Sequence, residues 1–354
     1  MKKFIAILFF LAGIQTGFSQ MQNADAVLQK IAAEKDDDTR VDLLLDFFGA
    51  TQDSDPVVDM QNAQKLLLQS QKNNDKISEA FALGEMGYNY WSFGNTVKHL
   101  EYDLKALSVA EETGNKKIIA LCKNFLAHNY SFTSGLDFRK AVDLYHESEQ
   151  AAIEGKSQIL QSWAMMNLAQ TFYLMGKPDS ALMYTQRTYE LITRINYTQY
   201  LSYVLAQFGN LHDKMGNAEL AVNYYRLAIN EAVKATSPRF LGDGYTKLAM
   251  YYKKANKADS VIVYAKKAIT SVHNTAYEYL VSIEPSKLLL DIYRNKNSDS
   301  AMKYSELYRI ANDSLYNSRN IQQAQSLTFE NDLHQQEVKT EKLKTEQQRR
   351  QNIQ

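Results

Sequence analysis

The sequence predicts an all-α fold: a right-handed superhelical solenoid of about seven antiparallel helix pairs at a period near 40 residues, followed by a long polar C-terminal helix. Three observations predict it. An eight-residue block recurs at positions 177, 217, 257 and 297, each copy 40 after the last. A second pattern of a small residue, an aromatic and a glycine recurs between those blocks. Only four prolines and 14 glycines interrupt 354 residues, which suits helices. Self-similarity at a fixed period marks stacked units that bury a continuous core only together.

The blocks run Lys177 to Tyr184, Asn217 to Tyr224, Lys257 to Tyr264 and Asn297 to Tyr304. Each carries an acid, then a small or β-branched residue, then Tyr: Asp179/Ala181/Tyr184, Glu219/Ala221/Tyr224, Asp259/Val261/Tyr264 and Asp299/Ala301/Tyr304. Ala141 holds the small position one unit earlier. An acid ahead of an apolar-periodic run marks a helix start, where its oxygen meets orphan amides and its charge suits the positive end. Pro178 fits a first turn, where a missing N–H costs nothing. Each block therefore opens the second helix of a pair, and Ala181 and Ala221 should be close-packing positions.

The first helix carries the other pattern. Met86-Gly87 with Tyr90 and Gly94 matches Leu126-Ala127 with Tyr130 and Gly135, Leu168-Ala169 with Phe172 and Gly176, and Phe208-Gly209 with His212 and Gly216. Leu248-Ala249 with Tyr252 and Leu289-Leu290 with Tyr293 continue it without the glycine. A small residue permits a close crossing, and a glycine past the helix end takes the left-handed cap. His212, standing where other units place an aromatic, reads as packing.

These residues resemble the tetratricopeptide repeat (TPR) family: the Leu-Gly-x-x-Tyr of its first helix and the Ala, aromatic and Ala of its second. Gly209, Gly216, Ala221, Tyr225 and Ala228 match nearly in full, as do Gly87, Tyr90, Gly94 and Ala106. The family repeat is about 34 residues, so a period of 40 implies longer helices. The family's Trp is absent from its place, and Val261 and Leu290 replace small residues. The resemblance covers roughly residues 40–316. An earlier pair, with Leu45 and Phe48 before Asp53-Ser54-Asp55-Pro56, is the expected divergent first repeat. The resemblance implies that the first helices line a concave face that captures a protein or peptide. Candidate partner-binding positions are Asn89, Asn124, Asn167, Gln170, Gln207, Asn210 and Lys247.

Residues 1–19 read as a cleaved export signal: Lys2-Lys3, an apolar stretch from Phe4 to Ile14, then Gly17-Phe18-Ser19. That stretch is too short to span a bilayer. The expected address is periplasmic or extracytoplasmic. Removing Lys2 and Lys3 leaves 38 basic against 40 acidic residues, and nucleic-acid binding needs a concentrated basic face. The single Cys122 can form no internal disulfide and reads as a small buried apolar residue.

No constellation of catalytic, cofactor or metal-ligating residues stands out. His146-Glu147-Ser148-Glu149-Gln150 lacks the second His of a zinc-protease helix. Gly242-Asp243-Gly244 lacks phosphate-loop spacing and reads as a loop between repeats. Asp36-Asp37-Asp38 and Asp53-x-Asp55 lack the glycine and distal glutamate of a calcium loop and read as helix N-termini. The chain is expected to be no enzyme, with no metal and no cofactor.

From Asn331 to Gln354 there is no aromatic, Gly or Pro. Glu341/Lys344 and Glu346/Arg350 suit a helix, but the apolar spacing sustains no heptad. Residues 317–354 read as a polar, coiled-coil-like connector that could also pair two protomers. An export signal, a repeat array at residues 20–316 and this connector are similar to the extracytoplasmic sensor region of bacterial membrane-bound sensor kinases of the Bacteroidetes kind. That resemblance implies a membrane tether and an output domain beyond residue 354. Arg349-Arg350 on the outer side runs against the positive-inside tendency and favours the alternative, a free exported scaffold.

Overall fold

A computed structural model describes residues 24–51, 56–132, 137–275 and 277–314. The expected export signal and C-terminal connector lie outside the described residues, as do Gly135 and Asp53–Asp55. Fifteen α-helices and one short 3-10 turn, Thr198–Tyr200, make up the described chain, with no strand. They are α1 (24–33), α2 (Asp37–Thr51), α3 (Pro56–Asn73), α4 (Lys76–Ser92), α5 (Thr96–Thr113), α6 (Lys116–Phe132), α7 (Phe138–Glu154) and α8 (Gln158–Leu174). Then come α9 (Pro178–Arg194), α10 (Leu201–Lys214), α11 (Ala218–Lys234), α12 (Pro238–Lys254), α13 (Ala258–Ser271), α14 (Glu278–Tyr293) and α15 (298–314).

The repeated blocks and the first-helix pattern meet as ring pairs. The aromatic of each first helix stacks on the block Tyr of its partner: Phe172 on Tyr184 at 5.6 Å, His212 on Tyr224 at 5.3 Å, Tyr252 on Tyr264 at 5.4 Å and Tyr293 on Tyr304 at 5.8 Å. Their planes lie within 17° of parallel. One contact, repeated four times, is why the 40-residue period is visible in the sequence.

Small residues stand where helices cross. Ala141, Ala181 and Ala221 are fully buried, and so is Val261 at 1% exposure. Ala301 departs from this pattern: it is only half-buried. Ala221 is covered by Leu248 from the first helix of the following unit, whereas among the described residues no first helix follows α15. The same sequence position therefore loses its close-packing role at Ala301, although Tyr304 in that block keeps its ring pair.

Helix ends follow one rule. Gly94, Gly176 and Gly216 have φ of 76°, 72° and 80°, and the amide three residues past each helix end bonds back to the last turn, as in Asn217 N–H to His212 C=O at 2.8 Å. Non-glycines do the same work at Asn74, Lys156, Asn196, Thr236 and Asn256.

Two further expectations change in detail. The block acids sit one residue inside the helix, not at the cap: α9 is preceded by Lys177 and α13 by Lys257, neither with a side-chain cap bond. Their carboxylates act through the helix dipole. Gly242-Asp243-Gly244 is helical, inside α12, not a loop. Both glycines are buried there because side chains would meet Val281 and Val272 at 242 and Ile229 at 244. Close packing, not flexibility, explains them. Asp36 does cap α2, accepting from Thr39 N–H at 2.8 Å, and Cys122 is fully buried.

Six pairs, α4/α5 to α14/α15, repeat regularly. Ahead of them α3 packs on α4, while α2 lies against α4 and α6. The first unit diverges in that way. Its apolar residues Val41, Leu44, Leu45 and Phe48 share one core cluster with Ile77, Phe81 and Leu160. Among the described residues no helix is long and apolar enough to cross a membrane.

Candidate functional site

Successive first helices touch: α4 on α6, α6 on α8, α8 on α10, α10 on α12 and α12 on α14. The second helices pack chiefly on first helices. In a curved array the layer whose members touch is the inner one, so the first helices form the concave face.

Equating the crossing residues Gly87, Ala127, Ala169, Gly209 and Ala249 defines rungs along that face. Glu85, Phe125, Asn167, Gln207 and Lys247 form one rung; Tyr88, His128, Gln170, Asn210 and Met250 form the next. Two rungs run nearer the helix starts. One is Phe81, Leu121, Trp163, Tyr203 and Asp243; the other is Ile77, Lys117, Ile159, Gln199 and Arg239. Offsets of three and four residues put all of them on one stripe of each helix.

Five of the seven predicted polar residues fall into two groups. Asn167 Nδ2 donates to Asn124 Oδ1 at 2.9 Å, joining α8 to α6. Gln170, Gln207 and Asn210 line a shallow depression between α8 and α10, floored by Ala169 and Leu211 with Tyr173 and Thr185. Gln207 Nε2 donates to Met166 C=O at 3.3 Å, and Asn210 Oδ1 accepts from Tyr225 O–H at 3.0 Å. Asn89 and Asn124 are buried, one position off the rungs. Asn89 Nδ2 donates back to Glu85 C=O at 2.9 Å. Lys247 is half-buried on α12, outside both groups.

Glu85, Tyr88, Tyr203 and Arg239 were missed by the search for recurring polar residues. The signal was available: counting back one unit at a time from Asn167 and Gln170 reaches Glu85 and Tyr88. Burial pushes the Glu85 carboxyl up to about 8, and the Asp59 charge adds to the rise. Burial likewise raises the Tyr88 hydroxyl, while the Arg239 guanidinium beside it opposes the rise by charge and a hydrogen bond. Arg239, from α12, also lies over the rings of Phe240 and Tyr277, 5.6 and 5.0 Å from their centres. Tyr88 belongs to α4, so residues four pairs apart meet across the concave face.

Behind the groove, His99 Nε2 stands 3.0 Å from Asp103 Oδ2, both fully buried. The His99 and His128 rings are 5.7 Å apart. Burial lifts the Asp103 carboxyl to about 6, with His99 opposing. Burial lowers His128 to about 3, with the His99 charge adding. Gly87 leaves the space that the Asp103 carboxylate fills. Among the described residues no group of three or more His, Cys, Asp or Glu side chains could hold a metal ion.

No family model matches the sequence, and no curated protein matches it either. Solved structures do. The chain is similar to a Rap protein complexed with Competence and Sporulation Factor, with a TM-score of 0.55 at 15% identity, covering 72% of this chain and 70% of that one. It is similar to a signal transduction ATPase with a tetratricopeptide repeat sensor from Pyrococcus horikoshii, with a TM-score of 0.54 at 18% identity, covering 74% of this chain but 41% of that one. The apo form of RapI gives a TM-score of 0.52 at 14% identity, over 74% and 99% of the two chains. At these identities the likeness shows the fold: a TPR-like helical solenoid.

Proposed function

We propose that this chain is a non-catalytic interaction module whose concave face binds a partner protein or peptide. The observation that carries this reading is the inner stripe itself. Amides of α6, α8 and α10 cluster beside the depression at Gln170, Gln207 and Asn210, where they can meet the N–H and C=O groups of an extended chain. The similarity to a Rap protein complexed with a factor, and to a protein with a repeat sensor, supports it. The test is replacement of Gln170, Gln207 and Asn210 together by alanine, followed by partner capture from the envelope fraction. Undiminished capture by a folded variant overturns the assignment of this surface.

The finer reading is an exported input region of a two-component-type signalling protein, working on the extracytoplasmic side of the inner membrane. It rests on the basic and apolar leader at residues 1–19 and on the polar segment 317–354. Fractionation of cells should find the mature chain outside the cytoplasm. The coding sequence after codon 354 separates the two exported forms: an apolar run of about 20 residues supports the sensor, and a stop codon supports a free scaffold.

A further inference from the structure

The first helices are not left as an open trough, because α2 lies across them. It engages the rung nearest their N-terminal ends at three places. Ile77, on α4, is buried with Val41 and Leu44 of α2. Lys117, on α6, bonds Asp42 Oδ2 at 2.7 Å and the Asp38 carbonyl at 3.2 Å, while Asn115 Nδ2 bonds Asp38 Oδ1 at 2.7 Å. Gln199, just before α10, donates to the Gly49 carbonyl. Phe48 meets Phe81 of the next rung, with ring centres 5.1 Å apart.

A regular first helix would run beside α4 and stop there. This one touches both α4 and α6 and bonds at its far end to a residue 150 positions later in the chain. Every first helix it touches is thereby held at a fixed separation from the others. Curvature in such arrays comes from a small rotation at each unit interface, so a member bonded to several units at once restrains their sum. The Tyr88–Arg239 contact ties α4 to α12 in the same sense.

We propose that α2 is a built-in strap that fixes the curvature of the array and keeps its concave groove narrow. When the strap lifts, the units relax and the groove widens. The idea does not depend on what the groove binds, so its failure leaves the partner-binding reading standing.

The full mature chain is tested by small-angle scattering, for the radius of gyration, and by trypsin cleavage after Lys35, which is exposed in the 34–36 link. Asp42→Lys with Phe48→Asp removes the charge pair and the buried ring. Cleavage should rise about tenfold, as for a locally released element, and the radius of gyration should increase while helicity holds. Faster cleavage with an unchanged radius overturns the proposal, as does no change in either. Should that variant lose its cooperative melt, a second one decides. Gly49→Cys with Gln199→Cys, joined by a short bifunctional maleimide in the otherwise unaltered chain, should cross-link readily, slow cleavage and leave the radius as it is. Cys122 stays out of the reaction, buried and with its thiol pushed up. Failure to cross-link, or cross-linking that leaves cleavage as fast as before, overturns the strap.

Discussion

The imidazole of His212 lies flat on the ring of Tyr224, with centroids 5.3 Å apart and planes 4° from parallel. Phe208 stacks on the same tyrosine at 4.9 Å. Three neighbouring pairs do with Phe or Tyr what this one does with His, so His212 serves chiefly as a flat ring, with only a long 3.4 Å contact between its Nδ1 and Asn217 Nδ2. His212→Phe should therefore leave the melting temperature unchanged. His212→Ala should destabilise by about 1 kcal/mol, the usual worth of an aromatic pair. Equal losses from both variants, measured by thermal melts, would mean that a ring nitrogen matters.

Ala221 is fully buried, and Gly209 faces the ring of Tyr225 so closely that a Cβ there would fall 2.5 Å from Cδ1. The two positions close the crossing of α10 on α11. Ala221→Leu should cost about 1–3 kcal/mol through overpacking, and Gly209→Ala should fall in the same range. Ala301→Leu, at the half-buried equivalent on α15, should cost less than Ala221→Leu. Denaturant titration is the check, with the m-value held constant.

The contrast between those residues and α2 shows what a sequence can display. Gly209, Ala221 and the block tyrosines make contacts that recur each 40 residues, so one comparison of the chain with itself finds them. The comparison also overreaches, because it assigns Ala301 the role of Ala221 without seeing that the covering helix is missing there among the described residues. The strap contacts occur once. Nothing near Gly49 signals Gln199, because the bond depends on the accumulated curvature of several units and not on local propensity. The Tyr88–Arg239 contact is hidden for the same reason. Gly242 and Gly244 misled in the opposite direction: adjacent glycines suggest a loop, yet close approach of Val281, Val272 and Ile229 selects them within a helix. Among the predicted polar positions, Asn89 and Asn124 sit one residue off the groove-facing rungs, a distinction that only a fixed helical register reveals.

Thr236 ends α11 with φ of 52°, although a β-branched side chain opposes the left-handed region. Its amide still closes the helix end, bonding to Val233 C=O at 3.2 Å. Left-handed conformation costs an L-residue roughly 1–2 kcal/mol, and Gly or Asn much less. Thr236→Gly and Thr236→Asn should each stabilise by about 0.5–1 kcal/mol. A lowered midpoint for both would show that the hydroxyl makes a contact worth more than the backbone relief.

The Glu85 carboxyl is raised from 4.5 to about 8, so between those values the folded state holds a proton that the unfolded state has released. Stability must then fall as pH rises through that window. His128 works in the other direction. Its value falls from 6.5 to about 3, so its contribution is complete above 6.5 and is lost as pH falls towards 3. Asp103, raised from 3.8 to about 6, has spent its effect by pH 6. Above pH 6.5 the slope from Glu85 remains while the other two are flat. Unfolding free energy measured from pH 6.5 to 8.5 should decline in the native chain, and Glu85→Gln should flatten that decline and leave the variant the more stable at pH 8.5. His128→Asn should leave the slope above 6.5 intact and remove the loss below it. A native chain whose stability is level from 6.5 to 8.5 would show that the fold does not hold the Glu85 carboxyl up.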